Sequence, residues 1–347
     1  MGAMIGKQGR RPTIRDVAER AGVSMQTVSN VINDRPVTRP ETRLRVEKAI
    51  LELGYERNAL ARALRLQQSQ VLGFFIEDQS HLALQDPTHA ALLTGMVEAA
   101  RQREYAVTVL VAAPESTDQV VATLRQQQRV AGVLLSLQGA EGERRDLLER
   151  QARLGMPTVI FEQHTDVPGV ASVTSDNEGG GAQVARHLLG LGHRRLAMLT
   201  GATAWPGGKR RFEGFLAETS RAGLDVALWR SDEWSVEAAR VAARPLLASE
   251  RPTAVFAAND VLAVGVLLAA QDIGVRVPDD LSVAGFDDFD FATMVRPALT
   301  SVGVDFVQMG MWGAEVLITL AEGGHTAPSV SLPSTLVVRG STGAVPA

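Results

Sequence analysis

From Val71 onward the chain alternates between two textures. Short β-branched or aliphatic runs recur at 71–76, 106–111, 130–135, 157–161, 195–199, 253–257 and 281–285. Amphipathic helical stretches lie between them, near 89–103, 117–128, 142–154, 178–191, 209–222, 235–248 and 260–272. A strand that returns to its sheet through a helix runs parallel to the one before it, so this texture predicts parallel sheets covered by helices on both faces. The units are too many for one comfortable sheet, which points to two doubly wound α/β subdomains.

The first 66 residues read differently. Thr13 has the character of an N-cap, with Asp16 three residues on, and Ile14, Val17, Ala18 and Ala21 follow at helical spacing. Gly22 ends that helix. Ser24 caps a second one, which carries Val28 and Ile32 inward. Thr38-Arg39-Pro40-Glu41 reads as a capping box opening a third helix with Leu44, Val46, Ile50 and Leu53, closed by Gly54. Two short helices about Gly22 form a helix-turn-helix, whose second member can lie in the major groove of DNA.

Base edges are then met by the start of the second helix and its next exposed turn: Met25, Gln26 and Asn30. The two amides can each make paired hydrogen bonds to adenine, and Met25 suits a thymine methyl. Ser24, Thr27 and Ser29 carry short hydroxyls for phosphate oxygens, which position a protein without reading sequence. Charge agrees with this division. Residues 1–66 hold 13 Lys or Arg against 7 Asp or Glu, a local charge of +6, and the remainder holds 22 against 32, a charge of −10. A basic head meets phosphates and an acidic body does not.

The chain has no cysteine, so disulfides, thiolate nucleophiles and zinc ribbons are excluded and a reducing cytoplasm is expected. The basic N-terminus has no apolar run behind it, and no stretch reaches the ~18–20 apolar residues that span a bilayer. The tail from Gly340 reads as loop, without a leucine heptad. Residues 58–65 are Ala-rich but only about two turns long, which is marginal for a free helix. They read as a hinge that becomes helical when docked.

Taken in order, these features resemble the lactose/galactose repressor (LacI/GalR) family of bacterial transcription regulators. The likeness runs from residue 13 to about 341. It rests on Asp16-Val17-Ala18 with Gly22-Val23-Ser24, Thr27-Val28-Ser29, Gly54-Tyr55, His187-Leu188 with Gly192-His193, Ala258-Asn259-Asp260 and Gly285-Phe286-Asp287-Asp288. The resemblance implies a homodimer whose two heads read a near-palindromic operator. It also implies a periplasmic-binding-protein-like clamp around a small effector, usually a sugar. The expected division is a head at 1–57, a hinge at 58–68 and a body at 69–347. The body would comprise one subdomain of about 69–174 plus 305–333 and another of about 175–304 plus 334–341, with crossings near Thr174, Val304 and Pro333. Asn58 and Leu64 join the DNA-contacting set. Leu64 matches a leucine that wedges into the minor groove and kinks the operator, or else packs on the hinge of its dimer mate.

For the effector, Arg211 matches a position that can fork two hydroxyl oxygens, with Lys209 and Arg210 beside it as alternatives. Glu162, Asn259 and Asp287 lie just after apparent strand ends, where open α/β sheets place ligands. Asp288 and Asp290 compete with Asp287. Trp234 and Phe306 match positions that press on a ligand ring, Phe306 being equally a core residue, and Trp205 can join them. Family members commonly carry Asn-Pro and an aromatic soon after the first strand. Here that segment runs from Glu77 to Thr88 without them, leaving Asp86 and Thr88 as candidates and the effector's identity open.

Other chemistry is weaker. Gly179-Gly180-Gly181 lacks dinucleotide spacing and reads as opening a helix, and Gly207-Gly208-Lys209-Arg210 lacks the spacing of a phosphate loop. The histidines show no metal-ligand spacing, and no catalytic set or cofactor motif stands out. The leading expectation is a DNA-binding regulator, most naturally a repressor, and not an enzyme. A cytoplasmic sugar-binding protein or a sugar-processing enzyme on the same fold is the alternative. Whether ligand releases or promotes DNA binding, and whether a phosphoprotein partner takes part, stays open.

Overall fold

The computed structural model describes residues 12–32, 38–54, 69–78, 83, 85–126, 129–140, 142–201, 205–324 and 329–345. The chain divides into two compact units, Met1–Gln68 and Ser69–Ala347.

In the first unit α1 (Ile14–Ala21) opens with a reciprocal cap: the Thr13 hydroxyl accepts from Asp16 N–H while the Asp16 carboxylate accepts from Thr13 N–H at 2.7 Å. Gly22 ends the helix in the left-handed region at φ +64°, where a Cβ is strained. Then come α2 (Met25–Ile32) and α3 (Pro40–Leu53). Val17, Ala18, Ala21, Val28, Val31, Val46 and Ala49 form their shared core. Two expectations need correction. The N-cap of α3 is Arg39, with no side-chain cap bond and Pro40 at the first helical position, so the Thr38 capping box is not formed. Leu44 is 66% exposed, because Ala49 with Val46 takes the inward face.

The body begins with β1 (Val71–Glu77), α4 (Pro87–Gln102), β2 (Ala106–Ala112), α5 (Thr117–Gln126), β3 (Gly132–Ser136), α6 (Arg145–Arg153), β4 (Thr158–Phe161) and β5 (Val170–Ser175). It continues with α7 (Asn177–Gly190), β6 (Leu196–Thr200), α8 (Pro206–Arg221), β7 (Val226–Arg230), α9 (Val236–Glu250), β8 (Ala254–Ala257), α10 (Asp260–Asp272), β9 (Ser282–Asp287), α11 (Phe291–Met294) and β10 (Thr300–Gly303). Last come α12 (Phe306–Ala321), β11 (Val330–Leu332) and β12 (Thr335–Val337). Two six-stranded sheets result, ordered β11-β5-β4-β3-β1-β2 and β12-β10-β9-β8-β6-β7. All pairings are parallel except β12 with β10. The doubly wound parallel architecture expected from the alternation is therefore present. The chain passes from one sheet to the other between β5 and α7, between β10 and α12, and between β11 and β12.

Strands β5, β7, β10, β11 and β12 fell outside the apolar runs. In β5 and β10 the cause is polar residues that are nonetheless buried: Ser172, Thr174, Ser175, Thr300 and Ser301. Distant partners satisfy them, as when Ser341 Oγ accepts from Thr300 N–H at 2.8 Å. The tail is irregular, as expected, yet it is packed. Ser341 is fully buried and donates to Val283 O, and Gly343 O lies 3.0 Å from the buried His193 ring.

Helices α7 and α8 meet closely. A methyl on Gly181 would fall 2.0 Å from Arg211 O, and one on Gly214 would fall 1.9 Å from Glu178 O. Glycine at both places brings Arg211 against the start of α7.

Candidate functional site

In the head, Ser24 Oγ accepts from Thr27 N–H at 3.1 Å and starts α2. Ser24, Met25 and Gln26 are exposed, Met25 at 53%, and Thr27, Ser29 and Asn30 are half-buried. Gln26 Nε2 donates to Asn30 Oδ1 at 3.2 Å, so the two amides share one helix face. Val28 turns inward. The helix start therefore presents a polar face with one apolar residue, fixed from behind by the head core. Asn58 and Leu64 lie outside the described residues.

In the body, the carboxyl ends of strands from both sheets meet through one buried network. Glu162 follows β4 and accepts from Ser175 N–H at 2.9 Å, from Ser175 Oγ, and from Asn177 Nδ2. Asn177 Oδ1 in turn accepts from Arg211 Nε at 2.8 Å. Arg211 also donates from Nη1 to Ala258 O, beyond β8, and its Nη2 lies 2.9 Å from Asp287 Oδ1 at the end of β9. This last contact is a buried ion pair, with both side chains almost wholly removed from water. The guanidinium lies 3.7 Å from the Phe286 ring centroid and 4.8 Å from that of Trp205, which fixes its plane. Trp205 meets Trp234 edge to face, at 5.7 Å and 84°.

Asp260 anchors the neighbouring turn. It accepts from Ser301 Oγ and from Phe289 N–H at 3.0 Å. Phe289, so held, stacks on Phe306 at 5.7 Å and 21°, and Phe306 meets Phe161 edge-on at 6.2 Å. Phe306 is thus a core residue of the first sheet's layer, 3% exposed. Asn259 caps α10 through Leu262 N–H at 2.9 Å. Asp86 caps α4 through Thr88 N–H at 2.8 Å and is exposed; Thr88 is half-buried. Asp288 pairs with Arg339 at 2.6 Å, whereas Asp290 is exposed. Lys209 extends to Glu213.

Electrostatics mark the same place. Burial holds the Glu162 carboxyl above the usual range, against the pull of Ser175, Arg211 and Asn177. Burial pushes Asp260 up to about 7. Burial also raises Asp287 well above its ordinary value. Arg211 opposes that rise, and the charges of Asp260 and Asp86 add to it. Glu162, Asp287 and Asp288 all hold left-handed backbone, at φ +54°, +103° and +55°. Non-glycine residues keep such conformations at a cost of ~1–3 kcal/mol each, where the surroundings over-determine them. A recess of about 390 Å3 lies between the start of α6 and the loop after β4, lined by Arg144, Arg145, Gln163 and His164 among others; Arg211 and Asp287 are not among its walls.

Comparison with known proteins bears directly on this arrangement. Residues 13–58 match the bacterial regulatory proteins of the lacI family, and residues 185–342 match a periplasmic binding protein-like domain. The chain is 32% identical to the HTH-type transcriptional regulator DegA of Bacillus subtilis (strain 168), over 96% of this chain and 98% of that one. It is 34% identical to the ribose operon repressor of Escherichia coli (strain K12), over 88% and 92%. Its fold resembles the lac repressor dimer bound to operator and the anti-inducer ONPF, with a TM-score of 0.82 and 29% identity, covering 96% of this chain and 100% of that one. The chain belongs to the LacI family of bacterial regulatory proteins. A LacI-family member of this length and coverage is a transcriptional regulator and not an enzyme.

Within the LacI-family frame, several site residues escaped the sequence reading. Asn177 joins Glu162 to Arg211, yet it sits in an unremarkable Asp-Asn-Glu opening of a helix. Asp260 stands beside the flagged Asn259, and its burial was the missing fact. His89 bridges Ala83 O at 2.8 Å and Ser136 Oγ at 3.0 Å, tying the atypical wall segment to the end of β3. Only the folded chain shows that these residues meet.

Proposed function

We propose that this chain is a transcriptional repressor that reads a near-palindromic operator as a homodimer and answers to a sugar-like effector held between the two body sheets. In this reading residues 1–57 read DNA, 58–68 form the hinge and 69–347 sense the effector. One observation carries the effector site: Arg211 Nη2 and Asp287 Oδ1 form a buried ion pair at 2.9 Å where strand ends from both sheets meet. One accepts and the other donates, which suits neighbouring hydroxyls of a polyol. Trp205 and Trp234 supply apolar faces beside them. Relatives support the partners: one is a ribose operon repressor, and a lac repressor dimer is bound to operator.

Gln26 and Asn30 read bases, Met25 makes an apolar contact, and Ser24, Thr27 and Ser29 hold phosphates. Asn58 and Leu64 belong to the DNA-contacting hinge. Effector binding shifts the balance between body states, and its leverage equals its difference in affinity for them.

The test begins with selection of DNA from a random pool by the full chain, followed by anisotropy titration of the winner. A palindromic winner whose affinity falls steeply with salt is expected, as is loss of selectivity in Gln26→Ala. Leu64→Ala is expected to bind at least tenfold more weakly with an unchanged melting temperature. Failure to enrich any sequence overturns the reading.

A further inference from the structure

The chain carries nine methionines and no cysteine, so every sulfur in it is a thioether. With no thiol to take an oxidant first, sulfur oxidation falls on methionine, and it falls where solvent reaches the side chain. Most of the described methionines are out of reach. Met96, Met198 and Met309 are fully buried, Met156 is nearly so, and Met311 is half-buried. Two are open to water: Met25 at 53% and Met294 at 70% exposure. Met294 ends α11 in the body and belongs to none of the networks described above.

Met25 stands in the reading face. It is the first residue of α2, directly after the Ser24 cap and beside Gln26, whose amide is tied to Asn30. Val28 and Val31 hold the other side of this helix in the head core. The helix is therefore fixed from behind, and a change at residue 25 leaves its place unaltered. Over Met25–Ile32 the helix has no charged residue. Its base contacts rest on two amides and one thioether, so the loss of any one weighs heavily.

Oxidation changes that thioether in kind. The Met25 Sδ lone pair attacks a peroxide oxygen, the O–O bond breaks and an S–O bond forms. The departing hydroxide takes the proton from the new S–OH and leaves as water. Sulfur has lost two electrons and the peroxide has gained them. A flexible apolar side chain becomes a polar one with a strong acceptor oxygen. A thymine methyl offers that oxygen no donor, so docking strips the sulfoxide of its water without replacement.

We propose that Met25 is a reversible oxidation site through which peroxides weaken DNA binding, so that the head receives a signal of its own besides the effector's. This rests on the DNA-reading role given to Met25 above. A sulfoxide reductase drawing on a dithiol reverses the change: the dithiol becomes a disulfide and the sulfoxide oxygen leaves as water. DNA shields the residue that touches it, so oxidation runs through the free chain, and operator and peroxide oppose each other.

The experiment uses the full chain and the operator selected as above. The chain is treated with hydrogen peroxide, free and operator-bound; peptide masses locate the sulfoxides, and anisotropy measures affinity. Met25 and Met294 are expected to oxidise before the buried methionines, and operator is expected to slow the reaction at Met25. Conversion at Met25 is expected to weaken operator binding at least about fivefold, the low end of what one base contact is worth, with the melting temperature unchanged. Sulfoxide reductases of both stereospecificities with dithiothreitol are expected to restore it. Met294→Leu is expected to respond as the parent does. Met25→Leu, whatever its own starting affinity, is expected to keep that affinity through the treatment. Full conversion at Met25 with unchanged operator affinity overturns the proposal and leaves the DNA reading standing. A loss that persists in Met25→Leu, or that the reductases do not reverse, does the same. If no operator is selected at all, the DNA reading falls and this proposal with it.

Discussion

Asp260 is buried, and among the described residues it has no direct ion pair; its carboxylate leans on the Ser301 hydroxyl and the Phe289 N–H. Its pKa stands near 7 in the folded chain, against about 4 in an unfolded one. Between those values the folded state binds more protons than the unfolded state. Stability from this group is therefore fully present at low pH and is lost as pH rises from about 4 through 7. Asp260→Asn removes the titration. The stability of the variant relative to the parent should rise across that window, on the order of a few kcal/mol. Urea unfolding at pH 4.5 and 7.5 measures it, and an unchanged difference between the two proteins would show that Asp260 titrates as an ordinary aspartate. Asp260 also holds the turn bearing Asp287, Asp288 and Phe289, through the Phe289 N–H.

At the scale of elements, the contact between α7 and α8 sets where Arg211 can be. Gly181 and Gly214 allow backbone to approach backbone, and neither has room for a methyl. Gly214→Ala should force the helices apart and cost roughly 1–3 kcal/mol, typical of overpacking a filled core. Gly190→Ala, at the end of the same α7, meets nothing within 4 Å and should be neutral or slightly stabilising through helix propensity. Thermal melts of the two variants make the comparison; equal losses would mean that the helix contact is not the cause. The Gly179-Gly180-Gly181 run thereby finds a packing role in place of a phosphate-binding one. On Gly180 a methyl would meet the Phe286 ring at 2.6 Å, the same ring on which Arg211 stacks.

At the scale of the molecule, the body carries its own cores. Three apolar clusters fall wholly within it, one in the layer around the second sheet and two on the first. The tail completes the second sheet through Ser341 and Gly343 instead of hanging free. A fragment of residues 69–347 should therefore fold alone, melt within a few degrees of the full chain and retain effector binding while losing DNA. Calorimetry and anisotropy test this, and an aggregated or unfolded fragment would refute it. Among the described residues the head core is smaller, built on seven buried residues across three helices, which is marginal for independent stability.

What the sequence alone determined is whatever rests on near neighbours. The Thr13–Asp16 cap, the Gly22 turn and the exposed start of α2 follow from contacts within four residues. The alternation of runs and helices likewise foretold parallel sheets, because strand and helix periods are local. Tertiary structure decided the rest, because the deciding partners are far away. Strand β10 is polar in sequence and became a buried strand only when Ser341, 41 residues on, supplied an acceptor. Asn177 gained its place from Arg211, 34 residues on. Phe289, Asp260 and His89 could not be picked out until folding took them from water, since a side chain's charge and use depend on which partners surround it once solvent is gone.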